Sequence, residues 1–121
     1  MKAMIRAIIR QEKVSAVMSA LMDAGFPGMT KFGVYGRGKQ RGVKVGEIHY
    51  DELPKEMLMI VVPMEDCKLV CDIIVAAART GANGTFGDGK IFITEVIESY
   101  TISSASKDDE TAETETVSTA S

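Results

Sequence analysis

The 121-residue sequence predicts an α+β domain, an antiparallel sheet with two helices on one face. Three observations predict it. Two stretches, one over Val14, Val17, Met18, Leu21 and Met22 and one over residues 65–79, repeat apolar side chains at the 3.6-residue period of a helix. Short β-branched or aromatic runs flank both of them. The two halves also share one plan: apolar strand, short turn, helix stopped by glycine, loop, strand.

Residues 1–10 form an apolar, partly alternating run with charges every few residues and no small-residue cleavage site. They read as a strand and not as a signal peptide. Gln11-Glu12-Lys13 leads into the first helix, which stops at Gly25, where a left-handed cap is expected. Phe26-Pro27-Gly28 breaks the chain before a second strand over 29–35. Residues 36–51 are too polar and glycine-rich for an element, and Leu53-Pro54-Lys55 is read as closing that loop. The almost wholly apolar run 57–62 suits a central strand buried on both faces, ended by Pro63. The second helix, 65–79, has acids in its first turn and Arg79 in its last, which suits the helix dipole. Its stripe is Leu69 or Val70, then Ile73, Ile74 and Ala77, ending at Gly81. A fourth strand over 90–97 follows, with 100–102 as a short edge segment. The order β-α-β-β-α-β, with a long loop between the second and third strands, is the ferredoxin-like arrangement. Its uncovered sheet face, if apolar, predicts a homo-oligomer.

Composition narrows the classes. One domain of this size can bury an adequate core. No apolar run reaches the roughly 18–20 residues of a membrane span, so membrane insertion is not expected and the expected compartment is the cytoplasm. Residues 104–121 hold five acids and one base, net −4 of the chain's −3, and are otherwise Ser, Thr and Ala but for Val117. Such a segment buries too little to offset its ordering entropy, so residues 1–103 are read as the domain and 104–121 as a disordered acidic tail. The two cysteines, Cys67 and Cys71, share one helix face. A redox pair or half a metal site is one reading. With a single histidine in the chain, His49, two small packed side chains are the favoured one.

The chemistry lies in two glycine-rich loops. Residues 80–93, Thr-Gly-Ala-Asn-Gly-Thr-Phe-Gly-Asp-Gly-Lys-Ile-Phe-Ile, contain four glycines and bring Asp88 and Lys90 together. Backbone amides freed by glycine can converge on an anion, and Lys90 adds a full charge. Gly36-Arg37-Gly38-Lys39-Gln40-Arg41-Gly42 repeats that chemistry inside a sixteen-residue loop, far longer than a hairpin requires. Two such loops in one small domain suggest a phosphate held between them. Neither is a P-loop nor a dinucleotide fingerprint. No nucleophile–base pair can be assembled around His49, so an enzyme is not expected. Phe32, Tyr35 and Phe92 lie on strands, yet no RNA-binding Lys/Arg-Gly-Phe-x-Phe pattern accompanies them, and nucleic acid is not an expected partner.

Ala7-Ile8-Ile9-Arg10, Ala24-Gly25-Phe26-Pro27-Gly28-Met29-Thr30, Gly36 to Gly42, Leu53-Pro54-Lys55, Ile60-Val61-Val62-Pro63, Arg79-Thr80-Gly81 and Gly87-Asp88-Gly89-Lys90 stand in an order that resembles the PII nitrogen-regulatory signalling proteins. The likeness runs from Met1 to about Ile102. The loop from Gly36, the exit Tyr50-Asp51-Glu52-Leu53-Pro54-Lys55 and the ending Tyr100-Thr101-Ile102-Ser103-Ser104 look most like the first of the paired paralogues encoded with nitrogenase genes.

This resemblance implies a trimer, or a mixed oligomer with the second paralogue, that binds ATP or ADP between subunits and 2-oxoglutarate beside it with Mg²⁺. It implies nucleotide contacts at Ile8, Thr30, Gly36, Arg37, Gly38, Lys39, Val61, Gly87, Asp88, Gly89 and Lys90. Gln40, Lys55 and Gly87 would meet 2-oxoglutarate, and Gln40 the metal. The implied role is non-enzymatic: the long loop docks on dinitrogenase and inhibits it under ammonium sufficiency. An ammonium transporter or another nitrogen-metabolism protein is the alternative target, and a slow ATPase the enzyme alternative. Three departures are visible. Ile48 stands where many members carry a modifiable tyrosine, so no modification is expected there. The glycine loop is three residues longer than Thr-Gly-x-x-Gly-Asp-Gly-Lys. Thr101 and Ser103 stand where two phosphate-site arginines are usual.

Overall fold

A computed structural model describes residues 1–37 and 52–109. Four strands, β1 (Lys2–Arg10), β2 (Thr30–Gly36), β3 (Leu53–Pro63) and β4 (Gly89–Val96), form one antiparallel sheet in the order β2-β3-β1-β4. Helices α1 (Val14–Asp23) and α2 (Cys67–Ala78) pack side by side on one face, each entered through a single 3₁₀ turn. This is the expected ferredoxin-like arrangement.

Period-two alternation sorts the side chains. Ala3, Ile5, Ala7 and Ile9 of β1, with Leu58, Ile60 and Val62 of β3, point to the helices and are buried there. Val17 and Leu21 of α1, and Val70 and Ile74 of α2, close the core from above. Each such Leu or Ile contributes about 1.5–3 kcal/mol by leaving water. The helix α1 stops as its sequence predicts. Gly25 takes φ +92°, its N–H donates to Met22 O at 3.0 Å, and Phe26 N–H reaches back to Leu21 O at 2.8 Å. That pair of bonds is the Schellman motif, and Phe26, itself buried, seals it.

Four expectations are corrected. Leu53-Pro54-Lys55 opens β3 instead of closing the loop, paired with Gly36, Tyr35 and Val34 of β2. Proline is tolerated there because Leu53 and Pro54 lie beyond the end of β1, where no ladder continues on that side. α2 ends at Ala78, with Arg79 already extended, and its buried stripe is Cys67, Val70, Ile74 and Ala78, while Leu69 faces solvent. β3 buries Leu58, Ile60 and Val62 fully on its helix side; on the other, Met57, Met59 and Val61 are only half-buried. Finally, Tyr100–Thr101 (β5) pairs with Ser106–Lys107 (β6) in a separate hairpin, not along the main sheet. The boundary placed at Ser104 therefore falls inside an ordered hairpin. Structure runs to at least Asp109, whose neighbour Asp108 accepts hydrogen bonds from Ser99 and Thr101 and so anchors the segment. The rest of the expected tail, 110–121, lies outside the described residues.

The sheet face away from the helices carries Met4, Ile8, Phe32, Val34, Met57, Met59, Val61 and Phe92 around Arg6, and among the described residues neither helix covers it. Cys67 and Cys71 are both free thiols packed toward the core. Burial, followed by the neighbouring Cys67, pushes the Cys71 thiol up to about 11.

Candidate functional site

The cross-strand register gathers the polar chemistry at one end of the open face. Arg10 ends β1 directly opposite Lys55 of β3, two cations side by side. Like charges in that position repel, and such a pair persists where each finds acceptors. Both find them in the glycine loop. The Lys55 ammonium donates to the Gly87 carbonyl. Arg10 donates through Nη2 to Phe86 O at 2.9 Å and through Nε to Asp88 Oδ1 at 3.2 Å. Lys55 is buried. Burial first, and then the Arg10 cation, lower its pKa from 10.5, against the pull of Glu12 and Asp88.

Asp88 organises the loop from inside. Its Oδ2 accepts Thr80 N–H at 3.1 Å and Thr85 N–H at 2.8 Å, while Oδ1 takes Arg10. Burial alone would raise the Asp88 pKa. Hydrogen bonds at Thr80 and Thr85 and from Arg10 outweigh it and hold the carboxyl well below the usual carboxylate range. Gly89 fixes the loop's exit. Its φ is +118°, and a Cβ added there would lie 1.8 Å from the Ile8 carbonyl oxygen. No other residue fits, so the backbone approaches β1 as closely as a backbone can.

Of the residues singled out in the sequence, Ile8 and Lys90 are cross-strand partners. Lys55, Gly36 and the loop Gly87–Gly89 sit at the same end of the sheet, and Arg37 follows Gly36, exposed. Thr30 and Val61 share the open face but lie about 15 Å from Lys90, counted from strand rise and spacing. A ligand touching both groups spans the face or is shared between copies. Gly38, Lys39 and Gln40 lie outside the described residues. Among the described residues no group of three or more His, Cys, Asp or Glu could hold a metal, so the Mg²⁺ assignment rests on Gln40 and on phosphate oxygens. No described helix is long and apolar enough to cross a membrane.

Sequence reasoning missed Arg10 as a site residue, and it missed that both Asp88 oxygens are already engaged. The available signal was a cation ending the central strand, opposite the lysine that enters β3.

A family model described as "Nitrogen regulatory protein P-II" matches residues 1–106. The chain belongs to the P-II family. Among its relatives, the "Nitrogen fixation nifHD region GlnB-like protein 1" of Methanobacterium ivanovii is 51% identical over 104 residues, which cover 86% of this chain and 96% of that one. The protein of the same description from Methanothermobacter marburgensis is 52% identical over 99 residues, covering 82% and 91%. Among solved structures, Arabidopsis thaliana PII bound to citrate superposes with a TM-score of 0.71 at 28% identity, covering 90% of this chain and 87% of that one. P-II membership makes this a nitrogen-signalling protein of a regulatory family, and the fold agrees with that neighbour.

Proposed function

We propose that this P-II protein is a non-enzymatic cytoplasmic sensor that binds ATP or ADP and, with Mg²⁺, 2-oxoglutarate, and that regulates nitrogenase through its long loop. The observation that carries the reading is the meeting of Arg10, Lys55 and Lys90 with a glycine loop at one end of the open face. Phosphates would sit against the loop amides and Lys90, and the adenine near Ile8, Thr30 and Val61. The Lys55 ammonium is suited to a carboxylate. It already has a carbonyl partner, so a dicarboxylate would offer a charged acceptor in place of a neutral one. Gln40 would complete the metal and 2-oxoglutarate contacts when the nucleotide supplies phosphate oxygens. With threonine and serine at 101 and 103, Arg37, Lys39 and Lys90 carry more of the phosphate charge.

The apolar open face supports assembly as a homotrimer or with a paralogue, since a patch of Met, Ile, Phe and Val of this extent is buried by association. The names of the nifHD-region relatives support dinitrogenase as the target.

Calorimetric titration with 2-oxoglutarate, with and without Mg-ATP, tests the reading. Binding that requires Mg-ATP and is lost in Lys55→Gln is expected. Equal binding without nucleotide, or unchanged binding in Lys55→Gln, would overturn the assignment of that lysine.

A further inference from the structure

On the helix side of the sheet, beneath the glycine loop, lies a cavity of about 880 Å³. Small-ligand sites fall in the range of roughly 300–1,000 Å³. Ile9 of β1 and Ile91 of β4 form its floor, and both point to the helices, away from the open face. Ile74 and Ala78 of α2 form one wall. The opposite wall is residues 83–86, in the stretch where the loop exceeds its short form by three residues. Phe86 presents its ring there, 69% exposed. The added loop length thus builds a second wall over an edge strand that the two helices leave partly uncovered; Ile93, on the same face of β4, is 50% exposed.

Arg79 and Asp88 supply the charges at this cavity, and both approach Gly84, with Asp88 Oδ2 3.4 Å from where a Cβ would stand. The Arg79 guanidinium lies across Gly84, its Nε 3.1 Å from where a Cβ would stand, so the absent side chain at 84 gives it room. Arg79 forms no ion pair with another described residue. The one carboxylate in the lining, Asp88, is already met by Arg10 and two amides. The Lys90 side chain belongs to the other face by its pairing with Ile8. A cation that no described carboxylate pairs with directly therefore stands beside an apolar hollow.

We propose that this cavity, which meets the open-face site only at the loop residues Asp88, Gly89 and Lys90, is a second ligand site for a small amphiphilic anion. Its flat apolar body would lie against Val75, Phe86 and Ile91, the apolar lining residues that keep exposed surface, and its carboxylate, sulfonate or phosphate would meet Arg79. The proposal stands whether or not the open face binds nucleotide.

The test is a fluorescence titration of the full-length protein with 1-anilinonaphthalene-8-sulfonate, an apolar ring system carrying one anionic group. Saturable enhancement is expected. Val75→Trp, which places an indole at the half-exposed mouth of the cavity, should weaken it at least tenfold. Arg79→Gln, a surface change that leaves the core intact, should weaken it several-fold. Phe92→Ser, on the opposite face, should leave affinity within twofold, and saturating Mg-ATP should not displace the dye. Wild-type affinity in both Val75→Trp and Arg79→Gln would overturn the proposal, because the dye would then sit elsewhere. Displacement by Mg-ATP would overturn it by merging the two sites. Absence of saturable enhancement would do so too, as when a second copy of the chain fills the cavity.

Discussion

At one end of β1, Asp88 draws together two loop amides and the Arg10 guanidinium. At the other end, Asp108 accepts the Ser99 hydroxyl at 2.7 Å and the Thr101 hydroxyl, its own N–H donates to Ser99 O at 2.9 Å, and Lys2 lies beneath, 3.5 Å from Ser99 Oγ. Each segment is tied to the central strand through one carboxylate and one cation. The difference is in the donors. Asp88 has a direct ion pair with Arg10 and amides that no rotamer change can withdraw. Asp108 takes rotatable hydroxyls at the surface, and its cation reaches it through Ser99. The hydrogen bonds from Thr101 and then Ser99 still lower the Asp108 pKa. A charge-assisted bond to a carboxylate is roughly twice as strong as one between neutral groups. The glycine loop should therefore be held as part of the fold, and the β5–β6 hairpin as an attachment to it.

The largest expected effect breaks the tighter side by geometry. Gly89→Ala forces a Cβ into the Ile8 carbonyl and should cost on the order of 3 kcal/mol in denaturant unfolding. A near-neutral result would mean that the loop exit is not fixed. Asp88→Asn comes next, at about 1–2 kcal/mol, because Arg10 loses its counter-charge and the single amide oxygen can serve the two loop amides or Arg10 but not both. Amide exchange at Thr80 and Thr85 should rise with it. The same contact sets an acid limit. A carboxyl whose folded pKa is depressed contributes stability above its ordinary value, near 3.8, and loses it as pH falls through the lower folded pKa. Wild-type protein should therefore lose stability on acidification below about pH 4, and Asp88→Asn should lose less over that window, read as the melting temperature against pH. The smallest effect is Asp108→Asn. The global melting temperature should hold, while amide exchange from Tyr100 to Lys107 accelerates. If this variant destabilised the whole domain as much as Asp88→Asn does, the contrast between the two carboxylates would fail.

Legibility in the sequence divided along similar lines. Periodicity placed both helices, and Gly25 announced its own cap, because those signals are local. The run Gly87–Lys90 was readable as anion-binding chemistry from residue type, whereas Lys55 was singled out only through the family resemblance. The start of β3 was hidden, since Pro54 and Lys55 look like loop until the end of β1 beside them is known. Arg10 was hidden for a related reason: its partners lie 76 and 78 residues away. The ordered end of the chain also escaped, because two strands of two residues leave no period to detect and a single aspartate does the anchoring. The cavity under the loop needed three elements in place before it existed at all.

The position of β1 has a consequence for how the molecule is made. Of the four strands of the sheet, the first to leave the ribosome is the one flanked on both sides, by β3 and by β4, so its hydrogen-bonding edges wait for residues more than forty positions downstream. Until β4 emerges, the apolar residues of β1 have one neighbour at most. Such non-local pairing slows folding and prolongs the life of an unpaired strand edge. A chain halted before residue 89 would retain both helices and three strands while leaving its central strand open to any other strand it meets.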